Sequence, residues 1–154
     1  ASDLVEKRLQ KAFAYAGLEH ENYLLFIDWL PGDQFWGVME ASDIFLDLPS
    51  FSGYTTAWQA IHCGLPVVTL EGRYLRQRLA SGLLQSVGIN ETIASNTDEY
   101  IDIASNLANS SELRNKLGQL IRERADFSDE DATVVRAFED ILSSEYRNRL
   151  AETF

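Results

Sequence analysis

Three stretches limit what this chain can fold into: "NYLLFIDWL" (22–30), "DIFLDL" (43–48) and "PVVTL" (66–70). Each is too short for a stable helix of its own and too continuously apolar for a strand with one wet face. Pro31-Gly32 ends the first, Pro49-Ser50 ends the second, and Gly64 and Pro66 open the third. "ETIAS" (91–95) reads as a shorter fourth strand. Each run is followed by apolar residues at helical spacing. Strands alternating with helices mean a parallel sheet with helices on both faces, so the expected class is α/β and Rossmann-like.

The spacing predicts helices over about 33–41 and 54–63, and a continuous one from Tyr74 up to Gly88. An N-terminal helix places Leu4, Leu9, Phe13 and Ala16 on one face and stops at Gly17. From Asn96 onward the pattern is helical. Asn96 or Thr97 caps one helix, with acids in its first turn. Ser110 or Ser111 caps the next, with Leu113, Leu117, Leu120 and Ile121 on one face. The last helix is expected to begin at Ser128, and Val134, Phe138, Ile141, Leu142 and Tyr146 make its apolar stripe.

With 154 residues, 45% of them hydrophobic, the chain fits a single Rossmann-like domain over 1–154 with a substantial core. A formal net charge of −11 makes nucleic acid and anionic membranes poor partners. No apolar run approaches the roughly 20 residues of a membrane span, and the first residues are amphipathic and charged, which points to a cytoplasmic protein. The single cysteine, Cys63, excludes an internal disulfide, and His20 and His62 give no metal-ligand set, so neither a metal nor another cofactor is expected. Cys63 reads as a small core residue rather than a nucleophile.

In sheets of this kind ligands sit at the carboxyl ends of the strands. The loops to inspect are therefore "WLPGDQF", "PSFSGYTT" and "EGRYLRQR". Gly53 lets backbone approach a ligand closely. Tyr54, Thr55 and Thr56 fall at a helix start, where unpaired N–H groups, the helix dipole and two hydroxyls suit a phosphate. A threonine cap beside a core threonine explains the same residues. Gln59, four residues after Thr55, shares that face and suits a ribose, although an exposed glutamine fits equally. Arg73, Arg76 and Arg78 crowd the third loop, and Arg76 is either a phosphate ligand or half of a surface ion pair. Phe35 and Trp36 are either base-stacking or core aromatics. No residue is assigned as a general base: Asp28, Asp43 and Asp47 flank strands and read as caps or surface charges.

The Gly-Tyr-Thr-Thr helix start, the "CGLPVV" turn and the stretch around Arg78 to Gly82 together resemble the C-terminal half of the O-linked N-acetylglucosamine transferase type of glycosyltransferase, in its bacterial tetratricopeptide-linked form. The resemblance runs from about Asn22 to the final helix. It implies the donor-binding half of a two-domain GT-B enzyme, the other half being an N-terminal Rossmann-like domain, with tetratricopeptide repeats as a further partner. It further implies a nucleoside diphosphate sugar as donor, a UDP-sugar being the family's usual one, and a half that is inactive by itself. Carried over by position, Thr55 and Thr56 hold the donor diphosphate, Gln59 the ribose, and the stretch with Pro31 and Phe35 the base; Gly53, Tyr54 and Arg76 join the diphosphate site on their own chemistry and place in the loops. The chain departs from the family pattern at Tyr54, where a histidine is expected, at Gln59, where an acid is expected, and at Gly32, Phe35 and Val38, which replace basic residues. The competing reading is a non-catalytic interaction module with a degenerate donor site.

Overall fold

The computed structural model describes residues 2–129 and 132–152. The chain divides into two compact units, residues 1–35 and 36–154, where one domain over 1–154 is expected from the sequence.

In the first unit, α1 (Ser2–Tyr15) ends where Gly17 takes a left-handed φ of 71°. The Leu18 N–H then reaches the Phe13 carbonyl (2.9 Å) and the Gly17 N–H reaches that of Ala14 (3.1 Å), a Schellman closure that satisfies two orphan carbonyls. A single 3-10 turn follows at His20–Asn22. The strand expected over 22–30 is absent. Leu25 is 84% exposed and Trp29 97%, and the run pairs with no strand among the described residues. An apolar run becomes a strand only where a neighbour takes its N–H and C=O groups, and its own composition cannot supply that neighbour. The chain becomes regular again at α2 (Gly32–Ala41), opened by the Phe35 N–H donating to the Pro31 carbonyl (2.9 Å).

The second unit holds the sheet. Its elements are β1 (Phe45–Leu46), α3 (Thr55–His62), β2 (Val67–Leu70), α4 (Leu79–Ser86), β3 (Ile93–Ala94), α5 (Thr97–Asn109), α6 (Ser111–Asp129) and α7 (Thr133–Glu152). All pairing is parallel in the order β1-β2-β3, with Phe45 opposite Val67 and Thr69 opposite Ile93. Among the described residues three strands thus stand where four are expected. α3, α4 and α5 all pack on the central strand β2. That explains the unbroken apolar run at 66–70: Val67 and Val68 are fully buried. Each such side chain contributes about 1.5–3 kcal/mol relative to exposure. Ile61, Leu84, Ile89, Leu107 and Ile121 complete the core from the helices and the α4–β3 turn. Among the described residues, no helix is long and apolar enough to cross a membrane.

Two helix boundaries differ from expectation. The stretch 74–88 is not one helix: a 3-10 turn (Leu75–Gln77) precedes α4, which begins at Leu79. Gln77 accounts for the break. Its Oε1 accepts the Tyr74 N–H (3.2 Å) and its Nε2 donates to the Pro49 carbonyl (3.2 Å), which anchors the turn to another loop. Ser128 does not begin the last helix, because α6 continues to Asp129. No glycine or proline lies between Gly118 and Ser128 to stop it. The α7 stripe is present but unburied: Val134, Phe138, Ile141, Leu142 and Tyr146 are all more than half exposed.

α6 also closes the ends of its neighbours with arginines. Arg114 Nη1 donates to the Leu107 and Ala108 carbonyls at the end of α5 (2.7 and 2.9 Å), and its Nε meets Asp43 (3.1 Å). Arg122 donates to the Cys63 carbonyl after α3 (3.3 Å), and Arg124 to the Gly88 carbonyl after α4. Cations at helix C-termini satisfy orphan carbonyls and oppose the dipole.

At its other end α5 is capped as its sequence indicates. Asn96 Oδ1 accepts the Glu99 N–H (2.9 Å), while Glu99 Oε2 accepts the Ser95 hydroxyl (2.6 Å) and N–H (2.8 Å). Asn96→Ala should lower unfolding stability by about 1 kcal/mol in chemical denaturation. The Ser95 hydroxyl and then its N–H hold the Glu99 carboxyl below its ordinary value. A lowered folded-state pKa stabilises above the unfolded value and is lost as pH falls through the folded one. An NMR titration should therefore place Glu99 below the ordinary carboxylate range, and Ser95→Ala should move it upward.

Candidate functional site

The loops after β1 and β2 leave the sheet at its carboxyl edge and are joined to each other. The Ser52 N–H donates to the Arg76 carbonyl (2.8 Å), and Gln77 reaches Pro49 as described. At the root of both loops sits Asp47, the residue after β1 and only 3% exposed. Its Oδ2 accepts the hydroxyls of Ser52 and Thr69, both at 2.7 Å, and its Oδ1 accepts the Gly53 N–H at 2.7 Å. The Tyr100 hydroxyl donates to the Asp47 carbonyl (2.9 Å). Burial, and then the Asp47 charge, push the Tyr100 phenol up. Asp47 is thus neither a cap nor a surface charge, which corrects the sequence reading.

This anchoring presents the start of α3. The N-cap position is Tyr54, which makes no side-chain cap bond, and Thr55 and Thr56 are the first two helical residues. The threonine-cap reading therefore fails. The first intrahelical bond runs from the Trp58 N–H to the Tyr54 carbonyl (2.9 Å). Among the described residues, no group accepts from the N–H of Thr55, Thr56 or Ala57, nor bonds the two threonine hydroxyls. The N–H groups of Thr55 and Thr56, their two hydroxyls and the positive end of a helix dipole are groups with which an anion can pair, whereas Ala57 is fully buried. Gly53 matters here through its missing side chain: a Cβ would lie 2.5 Å from Thr56 Oγ1.

Gln59 lies one turn further along α3, half-buried, and its amide has no partner among the described residues. Arg76 is exposed, with its guanidinium 4.9 Å from the Tyr74 ring centroid and no carboxylate partner among the described residues. The ion pair of that loop belongs instead to Arg78 and Glu71. Thus Gly53, Tyr54, Thr55, Thr56 and Gln59 lie together along one loop and helix, and a backbone bond at Ser52 ties in Arg76. Pro31 and Phe35 lie in the first unit, at the start of α2. Cys63 is half-buried, and burial and then Glu40 push its thiol up, away from the nucleophilic thiolate. No group of three potential metal-ligating side chains occurs among the described residues.

Sequence reasoning missed Asp47 and Ser52. The signal available was an acid directly following an apolar strand, five residues before a serine in a glycine loop. Asp47→Ala strands two hydroxyls and one N–H in a buried place, and should cost about 3 kcal/mol or more by denaturant titration.

Comparison with known proteins places this geometry in a family. The model of glycosyl transferase family 41 matches residues 4–132. A probable UDP-N-acetylglucosamine–peptide N-acetylglucosaminyltransferase SPINDLY of Solanum lycopersicum is 29% identical over 147 residues, covering 94% of this chain and 16% of that protein. A UDP-N-acetylglucosamine–peptide N-acetylglucosaminyltransferase of Caenorhabditis elegans is 34% identical over 68 residues, covering 44% of this chain and 6% of its own length. A solved structure of a mutant Thermobaculum terrenum O-GlcNAc transferase superposes with a TM-score of 0.83 at 27% identity, covering 98% of this chain and 29% of that one. The chain therefore spans less than a third of each of these proteins. From residue 4 to beyond its sixth helix it follows one family model, and it belongs to glycosyl transferase family 41.

Proposed function

We propose that this chain is the donor-binding part of a glycosyltransferase that moves a sugar from a nucleoside diphosphate sugar, a UDP-sugar in the first instance, to a protein or glycan acceptor. The observation that carries the reading is the start of α3, uncapped and flanked by the Thr55 and Thr56 hydroxyls, in a member of this family. The named activity of the relatives, transfer from UDP-N-acetylglucosamine to peptide, supports the donor class.

In the transfer, the bond between the anomeric carbon and the diphosphate oxygen breaks, and its electron pair stays with the diphosphate. The acceptor oxygen bonds the anomeric carbon, and its proton passes to the departing diphosphate, directly or through water. Negative charge therefore grows on the departing diphosphate. The N–H groups of Thr55 and Thr56, the two hydroxyls and Arg76 meet that charge. Gly53 and Tyr54 shape the approach, and Gln59 takes the ribose hydroxyls. The chemistry needs no metal, because helix dipole and arginine supply the positive field. No general base is assigned to this chain. An N-terminal Rossmann-like half, with tetratricopeptide repeats beyond it, would bring the acceptor, and the setting would be cytoplasmic.

Calorimetry of the full chain against a panel of nucleoside diphosphates tests the reading. UDP should bind, and the Thr55→Val/Thr56→Val pair should weaken it by about tenfold or more, since each tenfold corresponds to about 1.4 kcal/mol. Binding of no nucleoside diphosphate by the native chain would overturn it.

A further inference from the structure

Ser52 is 1% exposed, yet its polar atoms serve three separate elements. Its hydroxyl donates to Asp47 (2.7 Å) and accepts the Ala80 N–H in the first turn of α4 (2.9 Å). Its own N–H donates to the Arg76 carbonyl (2.8 Å). Asp47 fixes the hydroxyl rotor: with the proton committed to Oδ2, a lone pair is left to face Ala80.

We propose that Ser52, oriented by Asp47, is a positioning residue that holds Arg76 at a fixed place relative to the N-terminus of α3, so that both act on one diphosphate. The proposal rests on the donor-site reading above. Arg76 stands on a 3-10 turn whose residues Leu75 and Arg76 are exposed, next to an exposed Tyr74. Two ties bring that turn to the loop carrying Gly53: the Ser52–Arg76 backbone bond and the Gln77–Pro49 bond. An arginine on a loosely held turn loses more freedom when it closes on a ligand, and contributes correspondingly less to binding. Ser52 is too deeply buried to touch the ligand, so its effect must pass through Arg76 and the α3 start.

The test is a double-mutant cycle in the full chain, Ser52→Ala against Arg76→Ala, where alanine keeps the backbone N–H but removes the Asp47 and Ala80 bonds that hold that N–H in place, reading UDP affinity by calorimetry with thermal melting alongside. Arg76→Ala should weaken UDP by about tenfold in the native background and by less than about twofold in the Ser52→Ala background. A merely structural Ser52 would lower the melting temperature and leave the two losses additive. Additive losses, or unchanged UDP affinity in Ser52→Ala, overturn the proposal. Should Ser52→Ala fail to fold, Ser52→Cys takes its place, keeping the side chain's shape while weakening both hydroxyl bonds. The same non-additivity with Arg76→Ala supports the proposal, and additivity overturns it. A native chain that binds no UDP brings down the donor-site reading and this proposal together, whereas a native chain that binds UDP with an additive cycle brings down the positioning role alone.

Discussion

A carboxylate taken out of water must be met by donors, and those around Asp47 come from two places in the chain. Thr69 comes from β2, and the Ser52 hydroxyl and Gly53 N–H come from the loop that leads into α3. Charge-assisted bonds of this kind are shorter and stronger than neutral ones, and a buried charge makes each of them difficult to give up. One side chain thereby ties the carboxyl edge of the sheet to the loop that any ligand at that edge must meet. The parallel register of β1 and β2 is what brings Thr69 to Asp47 in the first place.

The helices that begin at this edge are treated differently. α5 has its first turn satisfied by Asn96, and α4 has its Ala80 N–H satisfied by Ser52. α3 has no cap, although a serine lies just upstream. That serine is turned inward to Asp47 and α4. The loop spends its natural capping group on scaffold and leaves the Thr55 and Thr56 amides without a partner among the described residues. Open donors of this sort cost stability, and they persist where something else is meant to fill them.

Much of this was legible in the sequence where the determinant was local. "PVVTL" demanded burial on both sides and received it as β2. Gly17 and Asn96 ended or began helices because their backbone or side-chain chemistry acts within a few residues. Thr55 and Thr56 could be placed at a helix start for the same reason. What failed depended on partners distant in sequence. "NYLLFIDWL" has strand composition and no strand beside it. Gln77 broke an expected helix by bonding Pro49, twenty-eight residues away. Asp47 looked like a surface charge because Thr69, the donor that helps to bury it, lies two elements further on. The site residues carried over from the family by position are the least local inference of all, and Pro31 and Phe35 stand in a different unit from the rest.

The arginines of α6 have an effect beyond closing helix ends. α3, α4 and α5 connect or follow parallel strands, so their dipoles run in a common sense. Arg114, Arg122 and Arg124 cancel the negative poles at one end of that array, while the pole at the start of α3 stays bare. The molecule as a whole carries a formal charge of −11. An anion approaching from afar is repelled by the total charge, and only within the last few ångströms does it meet the bare positive pole. Salt screens the first effect, with a Debye length of about 8 Å at physiological strength, far more than it weakens the second. Moderate ionic strength therefore favours capture of an anion by this acidic chain, the reverse of its effect on a basic anion-binding protein.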